Sequence, residues 1–99
     1  LMTRPQRRLT LWFVYIVECS DSSLYTGITK DVDRRLTEHN GAKKGAKYTR
    51  ARRPVKLIFA APVKNRSAAL KLEYKIKSLK KSEKIAYLKK EASNDLEDN

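Results

Sequence analysis

An α/β (α+β) domain is predicted here: a small three-stranded, mainly antiparallel sheet flanked by helices, in the order β-β-α-β-α-α. Three observations predict it. Two runs dense in β-branched and aromatic residues, "LWFVYIVEC" and "LYTGITK", flank the polar turn "SDSS", which is the pattern of a hairpin. A third such run, "VKLIFAAPV", returns only after a segment of helical character. Behind it, Ala69, Leu72, Ile76 and Leu79 recur at helical spacing, marking a helix with one apolar side. The 99 residues make one domain, expected to span 11–92 between a basic arm (1–10) and an acidic, disordered tail (93–99). A chain of this size buries about 60–65% of its unfolded surface, enough for one modest core.

Each element has a local reason. Residues 1–10, "LMTRPQRRLT", are polar, basic and interrupted by Pro5. In the hairpin, alternation of side chains puts Tyr15 with Phe13 and Val17, and Tyr25 with Gly27. Both tyrosines share a face only if the loop has an odd number of residues. Opposing Tyr15 to Gly27, with residues 19–23 as the loop, satisfies this. Gly27 is then expected to leave room beside Tyr15 for a water or a phosphate. Asp31 is a good N-cap for the first helix. Val32 and Leu36 mark its buried side, and at about 100° per residue Arg35 and His39 fall together on one flank. Arg34 and Glu38 fall further round, toward water. Pro62 in the third strand suggests a sheet edge. Ser67 is expected to cap the next helix, with Glu73 on the margin of its apolar stripe. Ser82 is expected to start a short last helix carrying Ile85, Leu88 and Ala92.

Charge is the strongest bulk signal. Lys and Arg number 23 against 11 Asp and Glu, for a net charge of +12 and a pI near 10.0. Such an excess favours a polyanionic partner, whether DNA, RNA or an acidic membrane surface, and says nothing of catalysis. The single cysteine, Cys19, excludes an internal disulfide and a two-Cys metal site. It reads as a half-buried strand-end thiol and fits a reducing cytosol. No run is long enough to span a membrane, and residues 11–17 are too short for a signal peptide.

Between Gly41 and Pro54, "GAKKGAKYTRARR" carries Lys43, Lys44, Lys47, Arg50, Arg52 and Arg53 and no acid. Two glycines weaken any helix there. Six unopposed charges repel one another, so a loop that contacts phosphates is favoured over a merely solvated one, with Tyr48 placed to stack on a base.

Five polar residues remain: Tyr15, Tyr25, Arg35, His39 and Glu73. Singly, each has an ordinary structural reading, such as strand packing or a surface ion pair of Glu73 with Lys77. Together, "VYIV", "YTG", "RRLTEHN" and "ALKLEYKIKSL" resemble the GIY-YIG nuclease superfamily, most closely its small stand-alone bacterial members, over about residues 11–90. The resemblance makes Tyr15 the tyrosine of the first tripeptide, and Tyr25 and Gly27 the tyrosine and glycine of the second. It makes Arg35 and His39 the helix residues of the site and Glu73 the metal-binding carboxylate. Phe13 and Val14 depart from the first tripeptide, which reads "FVY".

The resemblance implies an endonuclease that uses Mg²⁺ or Mn²⁺ to hydrolyse DNA phosphodiester bonds, at branched or single-stranded features, in repair or recombination. It implies a cytoplasmic, nucleoid-associated protein. The rivals are a non-catalytic nucleic-acid-binding module on the same scaffold and a nuclease subunit that needs a partner. The chemistry suits the residue types. One carboxylate can hold a hydrated Mg²⁺, a guanidinium can bracket two phosphate oxygens, and either Tyr15 or His39 can serve as base.

Overall fold

The structure, a computed structural model, describes residues 11–41 and 45–97, and the side chains of these except 94–97. It contains β1 (Trp12–Glu18), β2 (Leu24–Thr29), α1 (Val32–Asn40), α2 (Lys47–Arg50), β3 (Lys56–Val63), α3 (Arg66–Lys77) and α4 (Lys81–Glu97). The three strands form one antiparallel sheet in the order β2-β1-β3. This is the predicted α+β class and order, with a single helical turn, α2, added inside the basic segment. The basic arm, 1–10, lies outside the described residues.

The hairpin has the expected register, with Tyr15 opposite Gly27 and Val17 opposite Tyr25. Its turn is tied by Asp21, whose carboxylate accepts from the Ser23 amide at 3.0 Å and from the Ser23 hydroxyl. Between them Ser22 takes a left-handed conformation, φ 71°. Asp31 caps α1 by accepting from the Arg34 amide at 3.0 Å. Pro62 stands on β3, an edge strand, where its missing N–H removes no inner ladder bond.

Three boundaries differ from expectation. Asn65, not Ser67, caps α3, because its side-chain oxygen already accepts from the Ala68 amide at 2.8 Å. The last helix begins at Lys81, one residue before Ser82; the Glu83 carboxylate reaches back to the Lys80 amide, 3.3 Å away, and satisfies a donor there. It then runs to Glu97, where a disordered tail from Ser93 was the expectation. No Gly or Pro follows Ser82 to stop it.

Alternation along β1 divides the molecule. Val14 and Ile16 point to one face, where they join Ala61, Val63, Ala69, Ile76 and Leu88 in the main core. Tyr15 and Val17 point to the other, with Cys19, Val55, Tyr25, Leu36 and Ala60 around them. Thus α3 and α4 cover the apolar face, and α1 with the segment before β3 covers the second. Ile16, Ile76 and Leu88 are fully buried, each contributing about 1.5–3 kcal/mol by leaving water. Among the described residues, no helix is long and apolar enough to cross a membrane.

Candidate active site

The second face holds the polar residues that the sequence singles out. Tyr15 comes from the central strand, and its phenol oxygen lies 2.7 Å from His39 Nε2 on α1. The two side chains are 2% and 0% exposed, so this contact is made without water. Tyr25 of β2 closes the third side, its ring 6.5 Å from that of Tyr15 and 5.3 Å from that of His39. The register explains how the rings meet. A Cβ at Gly27 would lie 2.5 Å from the Tyr15 hydroxyl. The space that Gly27 opens is therefore filled by the Tyr15 phenol itself, not by a water or a phosphate as the sequence suggested. Any side chain there would push the phenol off His39.

Arg35 sits one turn before His39 on the half-buried flank of α1, while Arg34 is largely exposed. Arg35 lies close enough to the Tyr15 phenol to work against the rise in its pKa, and it donates to Glu38 at 2.9 Å. Glu38 does not turn to water. It is drawn in between Arg34 and Arg35, both of which it pairs. Burial works against the Arg35 charge, but the hydrogen bonds to Glu38 and Tyr15 outweigh it and raise its pKa.

These contacts set the direction of the protons. The Tyr15 O–H points to His39 Nε2, because the other ring nitrogen carries the imidazole proton. On the far side of the ring, His39 Nδ1 lies 2.9 Å from the Thr49 hydroxyl. That hydroxyl lies 3.0 Å from the Ala46 carbonyl, to which it donates. His39 Nδ1–H then donates to Thr49, and each proton in the chain has an acceptor. The Ala46 amide also approaches Nδ1, at 3.5 Å, too long to compete with the 2.9 Å contact.

Both groups are neutral at pH 7. Burial pushes the Tyr15 phenol up to about 12, helped by Tyr25 and Glu73 and opposed by Arg35. Burial holds His39 down to about 4, with Arg35 and Arg53 pushing the same way and Glu38 opposing. Burial thus opposes moving the proton from Tyr15 to His39 in this state.

Glu73 reaches the cluster from α3. Because β2 is an edge strand, the margin of α3 can reach round it. There Lys77 Nζ lies 3.1 Å from a Glu73 carboxylate oxygen and 5.8 Å from the Tyr25 ring centre. Glu73 is close enough to Tyr15 to raise its pKa. Among the described residues, no three His, Cys, Asp or Glu side chains gather into a metal cage. A lone carboxylate can hold only a cation that keeps most of its own waters. Glu73 is the residue that could hold it, on release of the half-exposed Lys77 ammonium.

The basic segment is less free than its composition suggests. Lys43 and Lys44 lie outside the described residues. Lys47 is exposed. Arg50 reaches the Gly45 carbonyl at 3.5 Å. Arg52 pairs with Asp21 at 3.1 Å, donates to the Tyr48 carbonyl, and lies 3.9 Å over the Tyr48 ring. Tyr48 is also stacked on Tyr25, with centres 5.9 Å apart. Tyr48 thus has ring partners within the protein while remaining 39% exposed. Arg53 donates to the His39 carbonyl at 2.7 Å. Gly45 backs onto α1 so closely that a Cβ would lie 3.0 Å from the His39 Cα.

Three residues not assigned to the site from the sequence serve it. Thr49 holds the far nitrogen of His39. Asn40 ties the end of α1 to the start of β3 through two bonds with Val55, at 2.9 and 2.8 Å. Lys77 bridges Glu73 and Tyr25. Only Lys77 carried a signal, as the residue four after Glu73.

The chain resembles known proteins along most of its length. The family model of the GIY-YIG catalytic domain matches residues 11–86. A UPF0213 protein of Desulfotalea psychrophila is 51% identical over 86 residues, covering 87% of this chain and 78% of that protein. One from Syntrophus aciditrophicus is 51% identical over 77 residues, covering 78% and 88%. The solution NMR structure of a UPF0213 protein from Bacillus halodurans superposes with a TM-score of 0.50 at 40% identity, covering 83% of this chain and 86% of that one.

Proposed function

This chain belongs to the GIY-YIG catalytic-domain family, and from that premise we propose that it is an endonuclease hydrolysing DNA phosphodiester bonds, with Mg²⁺ or Mn²⁺ as its cofactor. The observation that carries the reading is the 2.7 Å bond between the Tyr15 phenol and His39 Nε2, with Arg35 on the same phenol and Glu73 in electrostatic reach of it. A packed tyrosine needs one hydrogen bond at most. This one has an imidazole bonded to its oxygen and a guanidinium and a carboxylate in electrostatic reach.

In this reading Tyr15 is the base and His39 receives what Tyr15 passes on. The attacking water gives a proton to the phenol oxygen as the phenol proton moves to His39 Nε2. The electron pair left on the water oxygen forms the new bond to phosphorus. The P–O bond opposite breaks, and its electrons leave on the departing oxygen. Passing both protons together avoids a free phenolate, which a pKa of about 12 makes rare at pH 7. Arg35 brackets phosphate oxygens as negative charge grows on them. Bound on Glu73, Mg²⁺ would neutralise phosphate charge and stabilise the departing oxygen. Thr49 keeps His39 in the tautomer that accepts.

Labelled four-way junction, flapped duplex and single-stranded DNA are the substrates for the test, each with Mg²⁺ or with chelator. Cutting is expected with Mg²⁺ alone, and is lost in Glu73→Ala while binding persists. Binding without cutting in every arm, equal in wild type and Glu73→Ala, contradicts the enzyme and leaves a binding module on this scaffold.

A further inference from the structure

A second basic region lies at the turn between α3 and α4, where residues 75–84 read "KIKSLKKSEK". Lys75, Lys77, Lys80 and Lys81 are exposed there, and Lys84 is partly so. Its position relative to the site is fixed by two contacts. Lys77 lies against Glu73 and over the Tyr25 ring. Lys84 donates to the Ile76 carbonyl at 2.9 Å, which brings its ammonium to the end of α3, beside Lys77. Among the described residues, no acid pairs with the ammonium groups of Lys80, Lys81 or Lys84. The single acid of the turn, Glu83, is engaged with the Lys80 amide at 3.3 Å.

The contrast with the segment before β3 is what gives this turn meaning. There, Arg52 and Arg53 bind Asp21 and the His39 carbonyl inside the protein. At the α3–α4 turn Lys77 pairs with Glu73 and Lys84 with the Ile76 carbonyl, while Lys80 and Lys81 face solvent beside them. Like charges held together without an acid destabilise a free surface and favour a polyanion on it. The Lys84 pKa is lowered, first by burial and then by Lys77, in keeping with that crowding.

We propose that Lys77, Lys80, Lys81 and Lys84 form the track along which the phosphate backbone of the nucleic-acid substrate enters the site at Glu73. The inference rests on the nuclease reading for what happens at the end of the track, but binding tests it separately. Lysine ammoniums contact phosphates as point charges and read no bases, so the track is blind to sequence. It grips one arm of the substrate beside the cleavage point.

Equilibrium binding of a fluorescein-labelled flapped duplex, in chelator and across a salt series, provides the test. Lys80→Gln/Lys81→Gln is compared with wild type and with Lys89→Gln/Lys90→Gln. The second pair removes the same charge about 13 Å further along α4. Thermal unfolding confirms that all three are folded. The slope of log K against log salt is expected to become shallower by about 0.9 per lost contact, so by about 1.8 for the first pair and by less than half of that for the second. An unchanged slope, equal effects of the two pairs, or a wild type that does not bind would overturn the track. Binding with the expected slopes but no cutting in Mg²⁺ would sink the nuclease reading and leave the track standing.

Discussion

The two faces of the sheet are built from the same three strands and do opposite things. On one, Val14 and Ile16 meet Ala61, Ala69, Ile76 and Leu88, and nothing but shape and apolar area matters. On the other, the Tyr15 phenol bonds His39 with Tyr25 and Arg35 beside it, and polar contacts matter. One residue's offset along β1 separates the two. The difference teaches that this fold keeps its stability and its chemistry on neighbouring residues pointing in opposite directions. A change on either face should then show in a different measurement.

The largest expected effect lies on the polar face. Tyr15→Phe removes one oxygen and leaves the packing intact. Cleavage is expected to fall by about 10²–10⁴-fold, the usual worth of a positioned base, while unfolding free energy changes by about 1 kcal/mol. A variant that unfolds but cuts normally where folded would merge the two faces.

Next comes the apolar face. Ile76 and Leu88 are fully buried, so Ile76→Ala or Leu88→Ala should cost about 2–5 kcal/mol in denaturant unfolding. Cleavage per folded molecule is expected to stay near wild type.

The polar face also has a measurable effect on stability through pH. His39 titrates at about 4 in the folded protein, against about 6.5 when unfolded. Between these values the unfolded chain binds more protons, so stability falls as pH drops from 6.5 toward 4. The loss is about 3 kcal/mol. Unfolding followed against pH should show it, and His39→Gln should flatten the curve over that window.

Gly27→Ala is expected to cost about 1–3 kcal/mol from overpacking. It sharpens the comparison because its methyl meets only the Tyr15 phenol. Cleavage should fall although no polar atom is removed.

Much of this was legible in the residues. The period of two along the hairpin, with an odd loop, put both tyrosines on one face and opposed Tyr15 to Gly27. The 100° step of the helix chose Arg35 over Arg34 and set His39 beside it. Glu73 could be placed on a stripe margin by spacing, but only the family resemblance tied it to the tyrosines. What was illegible depends on partners distant in sequence. Composition makes the segment before β3 a string of free cations. It does not reveal that Arg52 finds Asp21, that Arg53 finds the His39 carbonyl, or that Tyr48 packs on a tyrosine and an arginine. Thr49 and Asn40 carry no periodic signal, since each acts through one long-range bond. Gly27 announced a close approach without saying of what, and the neighbour is the phenol.

The claim that Tyr15 and Glu73 act in one site is tested most directly by a double-mutant cycle on the cleavage rate. Tyr15→Phe, Glu73→Gln and the double variant are measured on the same flapped duplex in Mg²⁺. Residues that work as a unit are non-additive, so the double variant should be little slower than the slower single one. If the two losses multiply instead, the phenol and the carboxylate serve separate purposes and the single-site account is contradicted.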